Sequence, residues 1–521
     1  MAAEHLQPFE RFRGRRGLVM GLGLFGGGVE AAKFLCGYCP HVVVTDVRDK
    51  ATLTESIAEL EGLPIEYRLG EHREEDFREA QVVIHSPAVR PDHELLLIAR
   101  DAGAEVTMEM SLFIEAFPGL TIGITGSNGK STTAALCYEM LCEYRPRAQP
   151  ELEGLWADPV VNPAMVDPDT PERVWLGGNM GTPLLNRLGE MTLWDLAVLE
   201  LSSFQLMDWH RIKRSCTFAA ITNITPNHLD WHRDFAEYAR AKQAIFNYWG
   251  KYGDEPMAIL NGEDPACREI AARNPGRYRL FYATGELPEE PYLPGEMQPY
   301  AAGGNGNLRT QDTVSYGRRG HVILKREDLR LPGAFNWANA VAAGTLAARV
   351  TNDEDLDALA RAARRFRGIE HRLEFCGSVN GAKCFNDSIA TDPAATMAAL
   401  GVFDAGVHLI LGGASDKGAG YARLAGAIAA HSGIRGLYLQ GPTAGAIADA
   451  LARAGVKQAP RFDTFEAACR AALAAAGEGE NVLLSPAGTS FYEHAPGRKF
   501  ANFEERGRLF KQLVVWASRP Q

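Results

Sequence analysis

Short apolar runs recur along this chain and alternate with stretches of helical spacing. Residues 17–22 (GLVMGL) form the first such run, 26–36 take up helical spacing, and 42–46 (VVVTD) form a second buried run; together they predict a βαβ opening. Runs such as 82–85 (VVIH) then alternate with polar helical stretches to about Phe117, which makes the first portion an α/β domain. A new strand, Leu120 to Thr125, runs into a glycine turn and a helix of small and apolar residues from Lys130. The runs VWL (174–176), LAVLEL (196–201) and FAAITNI (218–224), followed by a helix from about 234 to 248, predict a second α/β domain. After a helical stretch over 335–366 the rhythm restarts with a strand at 382–386, a helix at 393–400, the strands VHLILGG and NVLLSPAG, and Ala-rich helices between them. The expected fold is therefore α/β in three domains, 1–117, 118–366 and 367–521. Residues 145–175, rich in proline, and 283–320, rich in Pro, Gly and polar groups, read as insertions or loops.

Length agrees with that organisation, because 521 residues at ~150 per domain allow three to four domains. Charge narrows the partners: 54 Lys and Arg against 65 Asp and Glu give a net charge of -11, too acidic overall to hold a nucleic-acid backbone. Small anions remain accessible to local N–H groups, lysines and metal ions. The nine cysteines are irregularly spaced and no signal peptide opens the chain, which predicts a cytoplasmic protein; Cys36 and Cys39 read as two packed thiols. No run approaches the ~18 uninterrupted apolar residues of a membrane span.

Gly123-Ile-Thr-Gly-Ser-Asn-Gly-Lys-Ser-Thr-Thr133 is the most specific signal, lying between a predicted strand and helix. Its glycines let the backbone approach an anion, its N–H groups face that anion, Lys130 reaches terminal phosphates and the Ser131 hydroxyl serves Mg²⁺. Ile124 replaces the first glycine of the full phosphate-loop pattern, so the shorter Gly126-x-x-Gly129-Lys130-Ser131 is what fits. Gly21-Leu-Gly23-Leu-Phe-Gly26, with Asp46 ending the next strand, reads as a dinucleotide fingerprint or as a site for another nucleotide diphosphate. A third cluster begins at Glu200 and includes Asn223, His228 and Asp230; a carboxylate at the end of a strand is well placed to hold Mg²⁺. On the residues alone, a nicotinamide dehydrogenase, a simple phosphotransferase and a silent nucleotide-sugar sensor all remain open. The dehydrogenase reading leaves Lys130, Glu200 and His228 unexplained.

Taken together the chain resembles the Mur ligase family, most closely its glutamate-adding branch. The resemblance is carried in order by GLGLFGGG, HSPAV, GITGSNGKSTT, GGNMGTP, LELSSFQL, NITPNHLD, YARAK, LPGAFNWANA, EHRLE, NDS, LGGASDKG, LLSPAGTSF and NFEERG. It implies a Rossmann-like first domain that binds a UDP-sugar, a central P-loop ATPase-type domain, and a Rossmann-like C-terminal domain that brings glutamate. The implied reaction joins glutamate to UDP-N-acetylmuramoyl-L-alanine at the expense of ATP, with two Mg²⁺ ions and domain closure, in a monomer. Relatives that add L-glutamate or another amino acid are the nearest alternatives.

Residue by residue, the positions matching the UDP-substrate site are Leu24, Phe25, Asp46, Arg48, Ser86, Asn179 and Ser202. Those matching the ATP site are Gly126, Ser127, Asn128, Gly129, Lys130, Ser131, Thr132, Asn336, Asn339, Arg372 and Asp387. Metal and catalytic positions fall on Lys130, Ser131, Glu200, His228 and Lys242, the last matching a lysine that the family carbamylates. The glutamate pocket matches Thr391, Lys417, Ser490, Phe491 and Phe503. Asn227, Phe335 and Ile389 depart from the residues usual at their positions, each removing a charge or polar group, and the segment between Ser490 and Phe503 is longer than usual.

Overall fold

The computed structural model describes residues 4–23, 26–143, 149, 173–229, 231–248, 257–274, 278–281, 313–316, 321–351, 356–416, 420–456 and 459–518. These residues form two compact units, one drawing on Met1–Leu152, Val161–Leu324 and Ala338–Arg361, the other on Lys325–Trp337 and Ala362–Gln521.

The first sheet of the larger unit contains β1 (Arg16–Met20), β2 (His41–Asp46), β3 (Ile65–Leu69), β4 (Val82–His85) and β5 (Glu105–Thr107), all parallel in the order 3-2-1-4-5. Both faces are covered, which is why the strands carry apolar runs rather than an alternating pattern. Val19, Val42, Val44 and Ile84 join one core cluster, while Leu18, Met20, Val43 and Val83 join another. Strand order reverses between β1 and β4, so the Gly21 turn and Ser86 leave the sheet side by side at its C-terminal edge, where open α/β sheets take their ligands.

The second sheet contains β6 (Leu120–Thr125), β7 (Val174–Gly178), β8 (Leu196–Glu200), β9 (Phe218–Ile221), β10 (Met257–Asn261) and β11 (Tyr278–Phe281), parallel in the order 11-10-9-6-8-7. Register aligns Ile124 with Glu200 on one side and Thr125 with Ile221 on the other. Three separate loops therefore leave the sheet together at its C-terminal edge. Within the proline-rich segment, Gln149 is fully buried and its amide exchanges hydrogen bonds with both main-chain groups of Leu176, finishing the open edge of β7.

Most of 145–175 and 283–320 lies outside the described residues. The loop reading of the second segment needs one correction: Thr313–Tyr316 is a strand (β12) that forms a two-stranded sheet with β13 (His321–Lys325).

The smaller unit is built on β14 (Glu374–Val379), β15 (Ala382–Asn386), β16 (Val407–Leu411), β17 (Ile434–Leu439) and β18 (Asn481–Leu484), in the order 14-15-18-16-17. β14 pairs antiparallel with β15, and the rest of the sheet is parallel. Val407, Leu409 and Leu411 face one core cluster while Ile410 faces the other, the period-2 signature of a strand buried on both sides. All nine cysteines are free, and burial pushes the Cys39 thiol up to about 11. Among the described residues no helix is long and apolar enough to cross a membrane.

Candidate active site

The phosphate loop joins β6 to the helix Lys130–Leu141, with Ser131 and Thr132 in its first turn. Gly129 caps that helix at a φ of 82°, and a Cβ there would overlap the Asn339 carboxamide, so only glycine fits. The loop's shape is set by the segment after β9. Ser127 N–H donates to the Asn223 carbonyl (2.8 Å), Asn128 N–H to Asn223 Oδ1 (2.9 Å), and Thr222 Oγ1 to the Asn128 carbonyl (2.6 Å). Ser127 Oγ lies 2.8 Å from the Tyr238 hydroxyl. Lys130 Nζ folds back onto the Ser127 carbonyl at 3.1 Å, while the Ser127 and Asn128 N–H groups that follow Gly126 are taken up by Asn223.

Glu200 ends β8 with only 2% of its surface exposed. Its Oε1 is 3.3 Å from Asn179 Nδ2, and its Oε2 has no hydrogen-bond partner among the described residues. An orphaned, buried carboxylate oxygen next to a phosphate loop is the donor a hard divalent cation takes, so these residues fit Mg²⁺. Lys242, on the helix Phe235–Asn247, is 1% exposed; its Nζ donates to the Gly126 carbonyl (2.8 Å) and Thr125 Oγ1 (3.3 Å). Burial drives its pKa well below the ordinary lysine value, nearby Lys130 lowers it further, and Glu200 opposes.

His228 sits in the loop between β9 and that helix at a left-handed φ of 53°, its N–H donating to Asn227 Oδ1 at 2.9 Å. Its ring lies 4.9 Å from Phe204 and 6.5 Å from Tyr238, and Lys242 Nζ lies 4.7 Å from the centroid of that tyrosine ring. Asp230 lies outside the described residues. Ser202 is occupied as a helix cap: its Oγ accepts from Gln205 N–H while the Gln205 side chain accepts from Ser202 N–H, a capping box written in the sequence as S-S-F-Q.

At the first sheet Asp46 is 2% exposed, and its two oxygens accept main-chain N–H groups from Gly23 (3.0 Å) and Arg48 (2.9 Å). That carboxylate pins the glycine turn to the end of β2, while the Arg48 guanidinium reaches it at 3.5 Å. Gly21 passes so close to Ser86 that a Cβ would come within 2.8 Å of the serine Cβ. Leu24 and Phe25 lie outside the described residues.

In the smaller unit Asn336 donates to the Pro332 carbonyl at 2.7 Å and Arg372 is exposed. Asp387 is 5% exposed, accepting from Ser485 Oγ (2.7 Å) and Leu373 N–H (3.2 Å); burial pushes its pKa up to about 7 against those hydrogen bonds. Ser490 is buried, Thr391 half-buried and Phe491 exposed, whereas Lys417 lies outside the described residues. The long segment after Ser490 folds as a short hairpin, Glu493–Ala495 against Arg498–Lys499, and Phe503 opens the helix Phe503–Ala517 with its ring 5.8 Å from His371. Glu370, His371 and Glu374 also cluster, but Lys511 Nζ already sits 2.6 Å from Glu370 and 2.9 Å from Glu374.

Sequence reasoning passed over several neighbours of these residues. Tyr238 joins loop serine, His228 and Lys242; His232 is 1% exposed and bonds Ser203 Oγ at 2.9 Å; Arg506, fully buried, binds three loop carbonyls. The YARAK run and the terminal NFEERG hold two of them, yet only the tertiary contacts give them a role.

A glycine loop between strand and helix, with a buried carboxylate at the end of the neighbouring strand and a buried lysine on the Gly126 carbonyl, is the arrangement of a nucleotide-dependent α/β enzyme. The family models agree domain by domain: Mur ligase MurD-like, N-terminal domain over residues 15–108, Mur ligase middle domain over 124–347, and Mur ligase, glutamate ligase domain over 371–488. The chain belongs to the Mur ligase family. The UDP-N-acetylmuramoylalanine–D-glutamate ligase of Roseiflexus sp. is 36% identical over 511 residues, covering 96% of this chain and 98% of that one. Its counterpart from Acetivibrio thermocellus is 32% identical over 97% of both chains. Among solved structures, the UDP-N-acetylmuramate–alanine ligase of Thermotoga maritima superposes with a TM-score of 0.51 at 16% identity, over 96% of this chain and 99% of that one. A UDP-N-acetylmuramoyl-L-alanyl-D-glutamate–2,6-diaminopimelate ligase superposes with a TM-score of 0.53 at 17% identity, over 85% and 93%. These two show a shared fold.

Proposed function

We propose that this protein is an ATP-dependent, ADP-forming ligase that joins D-glutamate to UDP-N-acetylmuramoyl-L-alanine in the cytoplasmic synthesis of peptidoglycan precursors. Each substrate is assigned to one domain: the UDP-sugar to 1–117, ATP to 118–366 and glutamate to 367–521. The observation that carries the reading is the joint burial of Glu200 and Lys242 beside the Gly126–Lys130 loop, within a chain whose curated relatives bear that enzyme's name over nearly full length.

The reaction begins with transfer of the ATP γ-phosphoryl group to the alanyl carboxylate, giving an acyl phosphate and ADP. The neutral amine of glutamate then attacks the acyl carbon. The tetrahedral adduct expels inorganic phosphate, and the nitrogen loses its proton as the amide forms. The first step must bring a carboxylate against a triphosphate, and two unit charges at 4 Å repel by ~4 kcal/mol even at an effective dielectric of 20. Lys130 and the loop N–H groups offset that repulsion and stabilise charge that develops during transfer. Two Mg²⁺ ions, held by Ser131, Glu200, His228 and a carbamylated Lys242, would supply further neutralisation. Burial favours the neutral Lys242 amine, which is the form that adds to carbon dioxide; the resulting carbamate exchanges a cation for an anion facing the metal.

The UDP moiety is assigned to the Gly21 turn, Arg48 and Ser86, and the acyl chain to Asn179. Glutamate is assigned to Thr391, Lys417, Ser490, Phe491 and Phe503, with Lys417 pairing a carboxylate. The test supplies ATP, UDP-N-acetylmuramoyl-L-alanine and either glutamate enantiomer, and follows phosphate release and product mass. Phosphate release should require the UDP-sugar and D-glutamate; release indifferent to the UDP-sugar overturns the assignment. Lys130→Ala should lower turnover by orders of magnitude while UDP-sugar binding persists, and a variant with normal turnover would refute the loop's role.

A further inference from the structure

His228 is exposed, with its ring against Phe204 and Tyr238. Trp231 N–H (3.1 Å) and His232 N–H (2.9 Å) both donate to the His228 carbonyl, which ties the main chain at residue 228 to residues 231 and 232. Trp231 in turn is gripped by the loop that follows β4. Its indole Nε1–H donates to the Ala88 carbonyl at 2.9 Å, its own carbonyl accepts from Arg90 Nη1, and the Arg90 guanidinium lies 5.0 Å from its ring centroid. Arg90 is itself fixed by a two-point pair with Asp92 (2.8 and 3.1 Å) and by Glu237 at 3.4 Å on the helix that bears Lys242. Phe204 completes the packing, 4.9 Å from His228 and 4.6 Å from Trp231. Ala88 and Arg90 stand two and four residues after Ser86, and Ala88 N–H donates to Ser86 Oγ at 3.3 Å.

We propose that Arg90 and Trp231 are positioning residues that lock the His228 loop to the loop following Ser86, so that the histidine is held ready for its cation by the domain that receives the UDP-sugar. The inference rests on the assignment of His228 to a metal in the proposed function. Neither residue touches a reacting atom; their effect passes through the His228 turn, as outer partners of metal ligands do, whose loss costs ~10–100-fold in metal affinity. Arg90 is suited to this because its planar fork serves Asp92 on one edge while its face and remaining donor serve Trp231; a lysine cannot do both.

The experiment measures Mn²⁺ binding by electron paramagnetic resonance to the full-length protein, with a non-hydrolysable ATP analogue present. It compares the native chain with Arg90→Ala, Arg90→Lys, Trp231→Phe and His228→Ala, and then repeats the comparison as the Mg²⁺ concentration giving half-maximal phosphate release. Arg90→Ala should weaken the His228-dependent site by about 10-fold. Trp231→Phe, which keeps an aromatic ring but loses the indole N–H and part of the ring's contact with Arg90 and Phe204, should shift it in the same direction, and Arg90→Lys should fall between native and Arg90→Ala. A purely structural loss would lower the active fraction and leave the metal midpoint where it was, so an unchanged midpoint in Arg90→Ala and Trp231→Phe overturns the proposal. Should Arg90→Ala fail to fold, Trp231→Phe decides alone. A shift in His228→Ala without one in the other two sinks the interlock and leaves the function standing; native protein whose phosphate release ignores the UDP-sugar sinks the function itself.

Discussion

Lys242 shows how far a side chain's chemistry depends on where the fold puts it. In the sequence it is one basic residue in Tyr-Ala-Arg-Ala-Lys, and only the resemblance to a carbamylated position singled it out. In the structure it is buried against the phosphate loop, and an unpaired ammonium is costly there. Lys242→Ala should abolish phosphate release, and millimolar acetate or another short carboxylate should restore part of it; absence of rescue would count against the carbamate. Asp387 makes a second residue-scale case. Its folded pKa of about 7 exceeds the ordinary value of 3.8, so the native state binds a proton that the unfolded chain releases. Stability therefore falls as pH rises from about 4 to about 7 and levels off beyond, by on the order of a few kcal/mol. Asp387→Asn should flatten that slope in denaturant melts across the window; an unaltered slope would show that other groups set it.

At the scale of elements, the helix Phe503–Ala517 is tied to its surroundings by one buried guanidinium. Arg506 donates from Nε to Ser388 Oγ (3.0 Å), from Nη2 to the Ser388 carbonyl (2.8 Å) and from Nη1 to the Gly488 carbonyl (3.0 Å). Those contacts join the loops after β15 and β18, which carry Asp387 and Ser490. Arg506→Met retains much of the volume but strands two buried carbonyls, so it should cost about 3 kcal/mol in denaturant unfolding and raise the glutamate KM. A variant as stable as the native protein would show that the loops hold themselves. Helix starts were more legible than this tie. Ser202 with Gln205, Asp392 before Pro393 and Asn502 before Phe503 are caps whose residue types announce them, and the helix expected at 393–400 occupies Pro393–Leu400. β14 was missed because its pattern, EFCGSV, is only partly apolar and its bulge between Phe375 and Gly377 breaks the alternation.

At the scale of the whole molecule, the C-terminal sheet has an apolar core on each face, formed by residues from within 373–514. Residues 367–521 expressed alone should therefore unfold cooperatively, with circular dichroism of an α/β protein. A non-cooperative melt would show that the boundary at 367 cuts through the domain. The net charge of -11 also takes on meaning at this scale, since the proposed substrates are all anionic. The proposed function assigns that positive charge locally, to Lys130, Arg48, Arg372 and Lys417, rather than to a general field.

The amino-acid sequence by itself determined the βαβ rhythm, the phosphate loop and the order of family motifs, because these rest on local periodicity and on short spans of backbone conformation. Tertiary structure alone decided which distant residues share an environment. Pairing of β6 with β8 sets Glu200 beside the loop, packing of the helix Phe235–Asn247 buries Lys242 there, and Trp231 meets Arg90 across 141 positions. Burial and electrostatic context arise only when segments far apart in the chain exclude water from one another, and it is those two quantities that turn a list of polar residues into a site.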